Sequence, residues 1–179
     1  ERVDYSGKIV EELDEAGARD LARIIKKRGV RTIAVCFVNA FANPENEQQM
    51  RDILIKELPE ASISISSDIM PEIFEHERFS TTVANAVLAP VAGDYTRDLA
   101  KRMKDGGYEE DVLLLHSGGG VMTAKNAENF AARLSASGIA AGAIASRFVA
   151  QKAGFENSIG LDMGGTSTDV CLCDRGELP

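Results

Sequence analysis

The 179 residues carry 28 Asp and Glu against 20 Lys and Arg, a formal charge of −8, with 44% apolar and 27% charged side chains. That balance is ordinary for a globular chain and argues against disorder or a fibre. The acidity argues against a nucleic-acid partner or an anionic membrane surface, since either needs a basic patch. The length suits one domain or two halves sharing a cleft, and no apolar run approaches the ~20 residues of a membrane span.

Three cysteines, Cys36, Cys171 and Cys173, are odd in number and too few for a disulfide framework. The start has no signal-peptide pattern, so a reducing cytoplasm is the expected setting. The chain opens at Glu1 and not Met, and stops soon after a strand-like segment, so an excised piece is the expectation.

Residues 11–28 read as a helix whose apolar face carries Leu13, Gly17, Leu21, Ile24 and Ile25. Acids crowd its start and Lys26 to Arg28 its end, which complements the helix dipole, and Gly29 stops it. Thr32 to Val38 is a β-branched, continuous apolar run that reads as a strand covered on both faces. Asn43-Pro44-Glu45 opens a second helix, with Met50, Ile53, Leu54 and Leu58 as its stripe. Residues 61–66 alternate Ile and Ser, as a half-buried strand near an edge does.

A long helical region covers roughly 72–104, its stripe made by Ala84, Val87, Leu88, Val91, Tyr95, Leu99 and Met103. Pro90 is expected to kink or divide it. Asp111 to His116 reads as a buried strand with Ser117-Gly118-Gly119-Gly120 as its exit loop, leading to helices at about 124–134 and 139–153. Strands at 157–163 and 167–173 flank Gly164-Gly165. The order α-β-α-β-α-β-α-α-β-β predicts an α/β sheet with helices on its faces.

The densest chemical pattern is Asp162-Met163-Gly164-Gly165-Thr166-Ser167-Thr168-Asp169-Val170. Glycines let backbone N–H groups converge on an anion without a Cβ in the way, and hydroxyls add donors. Two carboxylates beside a phosphate repel it unless Mg²⁺ and its water lie between. The cluster therefore reads as a Mg-nucleotide phosphate hairpin. The plain alternative is a tight Gly-Gly turn that needs only φ > 0.

Ser117 to Gly120 offers a second glycine loop at a strand end, where α/β ligands sit, or else a flexible turn. It matches neither a dinucleotide fingerprint nor a P-loop. Ser137-Gly138-Ile139-Ala140-Ala141-Gly142 opens a helix and suits either an anion or, more simply, close packing on a sheet. Arg78, Thr81 and Asn85 share a helical face and read either as a polar cleft wall or as a solvated helix start. His76 and His116 are too few for a His-based metal site, and His116 reads as a satisfied core or cleft histidine. Cys171 and Cys173 share one strand face and read as small packed side chains. No G-x-S-x-G elbow occurs.

Together these residues resemble the hydantoinase A, 5-oxoprolinase and acetone carboxylase β-subunit family. The segment from Asp162 to Val170 matches its second phosphate motif. Glu77-Arg78 with Ser80-Thr81-Thr82-Val83 and Asn85-Ala86 is similar to its E-R-x-S-T-T-x-x-N-A helix. Leu115 to Gly120 resembles M-Q-S-N-G-G with Gly118 in place of Asn. Ser137 to Gly142 resembles S-G-P-A-A-G with Ile139 for Pro, and Asn43 to Glu47 resembles N-P-x-H-E with Asn46 for His. The family's first phosphate motif, G-G-T-F-T-D, does not occur in these residues.

The resemblance implies part of an actin-like ATPase fold of the sugar-kinase and heat-shock type, a mixed sheet flanked by helices. Residues 1–72 would close a first subdomain, 73–105 connect, and 106–179 open a second with the hairpin. It implies ATP and Mg²⁺ as cofactors and phosphoryl transfer to a carbonyl-derived oxygen of a hydantoin, 5-oxoproline or a ketone. Gly164, Gly165 and Thr166 would hold phosphates, Ser167 and Thr168 assist, and Ser117, Gly118 and Gly119 border the cofactor. Asp162 would orient Mg²⁺ and, with Asp169, carry the catalytic role. A hydantoinase B-type subunit or domain is the implied partner. The piece alone is expected to have little activity. A ketone carboxylase subunit, a non-catalytic nucleotide-binding module and a plain structural turn are the competing readings.

Overall fold

The computed structural model describes residues 1–178, and they divide into two compact units. The first is Glu1–Asp98 with Glu128–Ala132, the second Leu99–Ala127 with the residues from Arg133 on.

The first unit opens with a short antiparallel hairpin, β1 (Arg2–Val3) and β2 (Ile9–Glu11), which the hydrophobic pattern does not predict. Helix α1 (Glu15–Lys27) starts where the Asp14 carboxylate accepts the Gly17 N–H at 3.1 Å, and Gly29 at φ 68° ends it. Strand β3 (Thr32–Val35), helix α2 (Glu45–Glu57) and strand β4 (Ser62–Ile65) form a parallel β-α-β unit, paired from Thr32↔Ser62 to Val35↔Ile65. The Asn43 carboxamide caps α2 by accepting the Glu45 N–H at 3.0 Å.

The core is Ala18, Ala22, Val35, Met50, Ile53, Leu54, Leu58 and Ile65. Each fully buried Leu or Ile there contributes about 1.5–3 kcal/mol of transfer free energy. The stripe expected on α2 is the buried one. On α1 the buried face is rotated from the expected one. Ala18 and Ala22 are covered, while Leu21 and Ile24 are about half exposed at 47% and 49%. Alanines let α1 lie close on α2, and closeness wins over side-chain size here.

A one-turn helix, α3 (Ser66–Ile69), follows β4. Helix α4 (Glu75–Asp105) then runs through Pro90 as one helix, so of the expected kink or division the division does not occur. Its flanking residues Ala86 and Ala89 on one side, Gly93 and Thr96 on the other, are buried and hold both halves in place. The apolar stripe predicted for α4 is also overturned. Val87 and Val91 are 64% and 72% exposed, and Tyr95 63%. The opposite face, Arg78, Thr82, Asn85, Ala86, Ala89, Gly93 and Thr96, is the buried one. Small residues allow close approach there, and the four polar ones find partners inside.

In the second unit, β5 (Leu113–Leu115) pairs antiparallel with β6 (Val121–Thr123). Ser117 to Gly120 therefore joins two strands; it does not lead from a strand into a helix as expected. Helix α5 (Ala124–Asn129), a 3₁₀ turn at Ala131–Leu134 and helix α6 (Ser137–Lys152) follow. Strands β7 (Ser158–Met163) and β8 (Thr168–Cys173) then form an antiparallel hairpin against α6. The described residues thus hold four two-stranded sheets, one parallel and three antiparallel, with helices beside them.

Candidate functional site

The β7–β8 hairpin sets Asp162 directly opposite Asp169 in the ladder. Residues 160, 162, 169 and 171 share the face turned to α6, because side chains alternate along a strand. Close approach of α6 depends on small residues. A Cβ at Gly142 would sit 3.2 Å from Asp162 Oδ2, and one at Gly160 would overlap Ser146 and the Cys171 thiol. The packing reading of Ser137 to Gly142 is thus met at Gly142. Between helix and hairpin lies a void of about 20 Å³ lined by Ile139, Gly142, Asp162, Asp169 and Cys171 among others. That is room for about one water.

The turn itself is open. Gly164 donates its N–H to Ser167 O at 2.9 Å, and the N–H groups of Gly165, Thr166 and Ser167 make no hydrogen bond among the described residues. Neither Gly164 nor Gly165 has a positive φ. A Cβ at Gly165 would meet nothing within 4 Å, and one at Gly164 only Ser167 O at 3.7 Å. Turn geometry and packing therefore leave both glycines unexplained. Thr166, Ser167 and Thr168 are exposed. Successive free N–H groups beside hydroxyls are the donor set of an anion cradle. Carboxylates at 162 and 169 suit a hard cation held mainly by water and phosphate oxygens.

The Ser117 to Gly120 loop is different. Ser117 N–H goes to Arg133 O at 2.7 Å and Gly119 N–H to His116 O at 2.9 Å. Gly118 N–H goes to His116 Nδ1 at 3.0 Å. Gly119 needs its φ of 78°, and a Cβ at Gly120 would lie 2.6 Å from His116 Nε2. No hydrogen bond joins this loop to the hairpin among the described residues.

Arg78 and Asn85, expected with Thr81 on a cleft wall, are buried in the first unit together with Thr82, and Thr81 is half-buried. Arg78 donates to Glu72 O at 2.8 Å and Phe37 O at 3.0 Å and lies over the Phe41 and Phe79 rings. Glu47, fully buried, accepts the Phe37 N–H at 2.7 Å, the Ser66 hydroxyl at 2.6 Å and the Ser67 N–H at 2.8 Å. The Phe37 peptide is thus clamped on both sides by an acid from α2 and a base from α4. Asn85 joins Ser64, Asn129 and Ala132 by three hydrogen bonds of 2.9–3.0 Å. The sequence pattern gives Glu47 no role of its own; its place in the N-P-x-H-E-like segment is the available signal.

Residues 78–179 match the family described as hydantoinase/oxoprolinase, and residues 1–58 match its N-terminal region. The chain belongs to the hydantoinase/oxoprolinase family. Within it, the chain is 33% identical to the acetophenone carboxylase gamma subunit of Aromatoleum aromaticum, over 96% of its own length and 24% of that subunit. The nucleotide-free structure of an ATP-dependent acetone carboxylase superposes with a TM-score of 0.89 at 30% identity, over 99% of this chain and 25% of that one. The ATP-dependent caprolactamase of Pseudomonas jessenii gives 0.78 at 29%, over 96% and 25%. This hydantoinase/oxoprolinase chain spans about a quarter of the length of the curated relatives it matches. Its small sheets flanked by helices are consistent with an actin-like ATPase-type fold.

Proposed function

We propose that the whole protein is an ATP-dependent enzyme that opens a cyclic amide such as a hydantoin or 5-oxoproline, activating a carbonyl-derived oxygen by phosphoryl transfer. The observation that carries this reading is the hairpin turn, whose two glycines neither φ nor packing requires. They serve instead as open backbone for a phosphate to approach. Gly164 leaves the approach open, Gly165, Thr166 and Ser167 offer their free N–H groups to the phosphates, and Ser167 and Thr168 add hydroxyls.

Asp162 and Asp169 are the residues that would hold Mg²⁺, which neutralises phosphate charge when bound. On this chain, the absence of a side chain at Gly142 leaves room for the Asp162 carboxylate beside α6. Phosphoryl transfer needs positioning and charge neutralisation more than covalent help, and these residue types supply both. Residues 1–72 close one subdomain, 73–105 connect, and 106–179 open the next. A hydantoinase B-type subunit or domain completes the enzyme, in a reducing cytoplasm. The isolated piece, with one phosphate hairpin, turns over little.

Ketone carboxylation is the second reading, favoured by the 0.89 superposition on acetone carboxylase against 0.78 on caprolactamase. The test is Mg-ATP titration of the full-length protein with 5-oxoproline, caprolactam, and acetone with bicarbonate. Phosphate release stimulated by a lactam supports the first reading, and by a ketone the second. Binding without turnover leaves a nucleotide-binding module, and absence of binding sinks all three.

A further inference from the structure

Strand β4 pairs with β3 alone among the described residues, so its other edge is open. A cavity of about 550 Å³ lies beside it, within the first unit. All four residues of the strand, Ser62 to Ile65, line this cavity, and no residue of β3 does. A cavity that touches both faces of one strand and not its neighbour runs along the unpaired edge. Its volume is that of an ordinary binding cleft.

The edge is recessed between walls. Ile63 and Ile65 pack toward α2, whose Arg51 lines the cavity on that face. Ser64 takes the Asn85 carboxamide of α4 on the other face, where Ala89, Glu128 and Phe130 line it. Ser62 donates its N–H to Arg31 O at 2.8 Å, on the β3 side. Backbone groups alternate along a strand, so the N–H and C=O of Ile63 and Ile65 point into the cavity. Ser67 lines the same space, and its Oγ is buried with no hydrogen-bond partner among the described residues. Open main-chain donors and acceptors, an orphaned hydroxyl and walls on both faces are what an added strand needs.

We propose that the β4 edge is a docking groove for an extended segment of a partner polypeptide, which pairs its main chain with Ile63 and Ile65 and alternates apolar with basic side chains. The apolar set meets Ala89 and Phe130, and the basic set meets Asp68 on the Arg51 face. The charged side chains lining the groove are two acids, Asp68 and Glu128, and one base, Arg51. That base is already held by Asp68 at 3.0 Å and Asp52 at 3.4 Å, so an acidic strand finds no free counter-charge and a basic one does. A second copy of this chain does not suit the groove, because the chain carries a charge of −8 and the walls bar another folded sheet edge.

The experiment uses the full-length protein and fluorescein-labelled, end-capped pentapeptides. Lys-Val-Lys-Val-Lys is expected to bind saturably in anisotropy titrations and to slow hydrogen exchange at the Ile63 and Ile65 amides. Glu-Val-Glu-Val-Glu should bind about tenfold more weakly, and Asp68→Arg should reverse that order with Tm held, since Asp68 is exposed. N-methylation of alternate peptide residues should abolish binding in one phase and spare it in the other, because every second N–H of an added strand points away from β4. Loss in both phases or in neither, no preference for the lysine peptide, or unchanged exchange at Ile63 and Ile65 would overturn the proposal. Lysine amide binding as tightly as the pentapeptide would make the groove a small-molecule cavity and overturn it too. Amides that exchange slowly without any peptide, together with no peptide binding, would show that a segment of the same polypeptide fills the groove, which also refutes a partner there. None of these outcomes depends on turnover, so a failure here is distinct from a failure of the enzyme reading.

Discussion

The two units treat their polar motif residues in opposite ways. In the first, Glu47, Arg78, Thr82 and Asn85 are buried and spend their hydrogen bonds on the protein. In the second, Asp162, Thr166, Ser167 and Thr168 are exposed, on a turn whose glycines have no structural reason to be glycine. Buried polar groups are costly unless paired, so the first set reads as architecture. Exposed donors around needless glycines read as a ligand site. The apolar surface differs too. The first unit closes a core over β3 and β4, whereas α6 buries no residue. The outer face of the β7–β8 hairpin leaves Ile159 and Met163 72% and 71% exposed.

The sharpest break of this comparison is Asp162→Ala in the full-length protein. An exposed carboxylate contributes little to folding, so Tm should hold. Turnover of Mg-ATP should fall by about 10²–10³, the order of losing one electrostatic stabiliser of the reacting groups. Full activity would take Asp162 out of the site. The converse change in the first unit is Glu47→Ala. It strips three donors of their buried acceptor, which should cost about 3–5 kcal/mol in denaturant unfolding. A loss below about 1 kcal/mol would mean that the clamp on Phe37 is not structural.

Gly165→Ala tests the two explanations of a glycine against each other. With negative φ and no neighbour within 4 Å, the change should leave stability equal or raise it by up to about 1 kcal/mol, by restricting the unfolded chain. KM for Mg-ATP should nonetheless rise, because the added methyl stands where phosphate approaches. A fall in Tm with unchanged KM would restore the plain-turn reading.

How much of this the sequence disclosed depends on which forces decide each element. The β-α-β unit was legible because Met50, Ile53, Leu54 and Leu58 obey the helical period and Ile63 and Ile65 the strand period. The hairpin was legible from its two acids and glycines. The buried face of α4 was not, because Val87, Leu88, Val91 and Tyr95 form the stronger apolar stripe. Tertiary pairing of Arg78 and Asn85 overrode that pattern. Glu47 was missed for the same reason: local charge rules assign an acid in a first helical turn to the dipole, and only the fold brings Phe37, Ser66 and Ser67 to it. The His116 loop was invisible because its glycines answer to a side chain's shape, which spacing does not encode.

The smallest expected effect concerns Cys36, which sits at the end of the core strand near Glu47. Burial first, and then the Glu47 charge, push its thiol up from an ordinary 9.0 to about 11, against the weaker opposing pull of Thr82 and Arg78. A raised value in the folded state means that the thiol stays neutral there while the unfolded chain ionises. Its contribution to stability is therefore full below pH 9 and is lost as pH rises toward 11. Cys36→Val should flatten that alkaline decline slightly without changing stability near neutrality, read from urea midpoints at several pH values. Iodoacetamide at pH 8 should also leave Cys36 unmodified in the native protein, since only the thiolate reacts. Alkylation of Cys36 ahead of unfolding would show that the Phe37 clamp opens. The contrast between a closed first unit and an accessible second one would then weaken at the point where it is best defined.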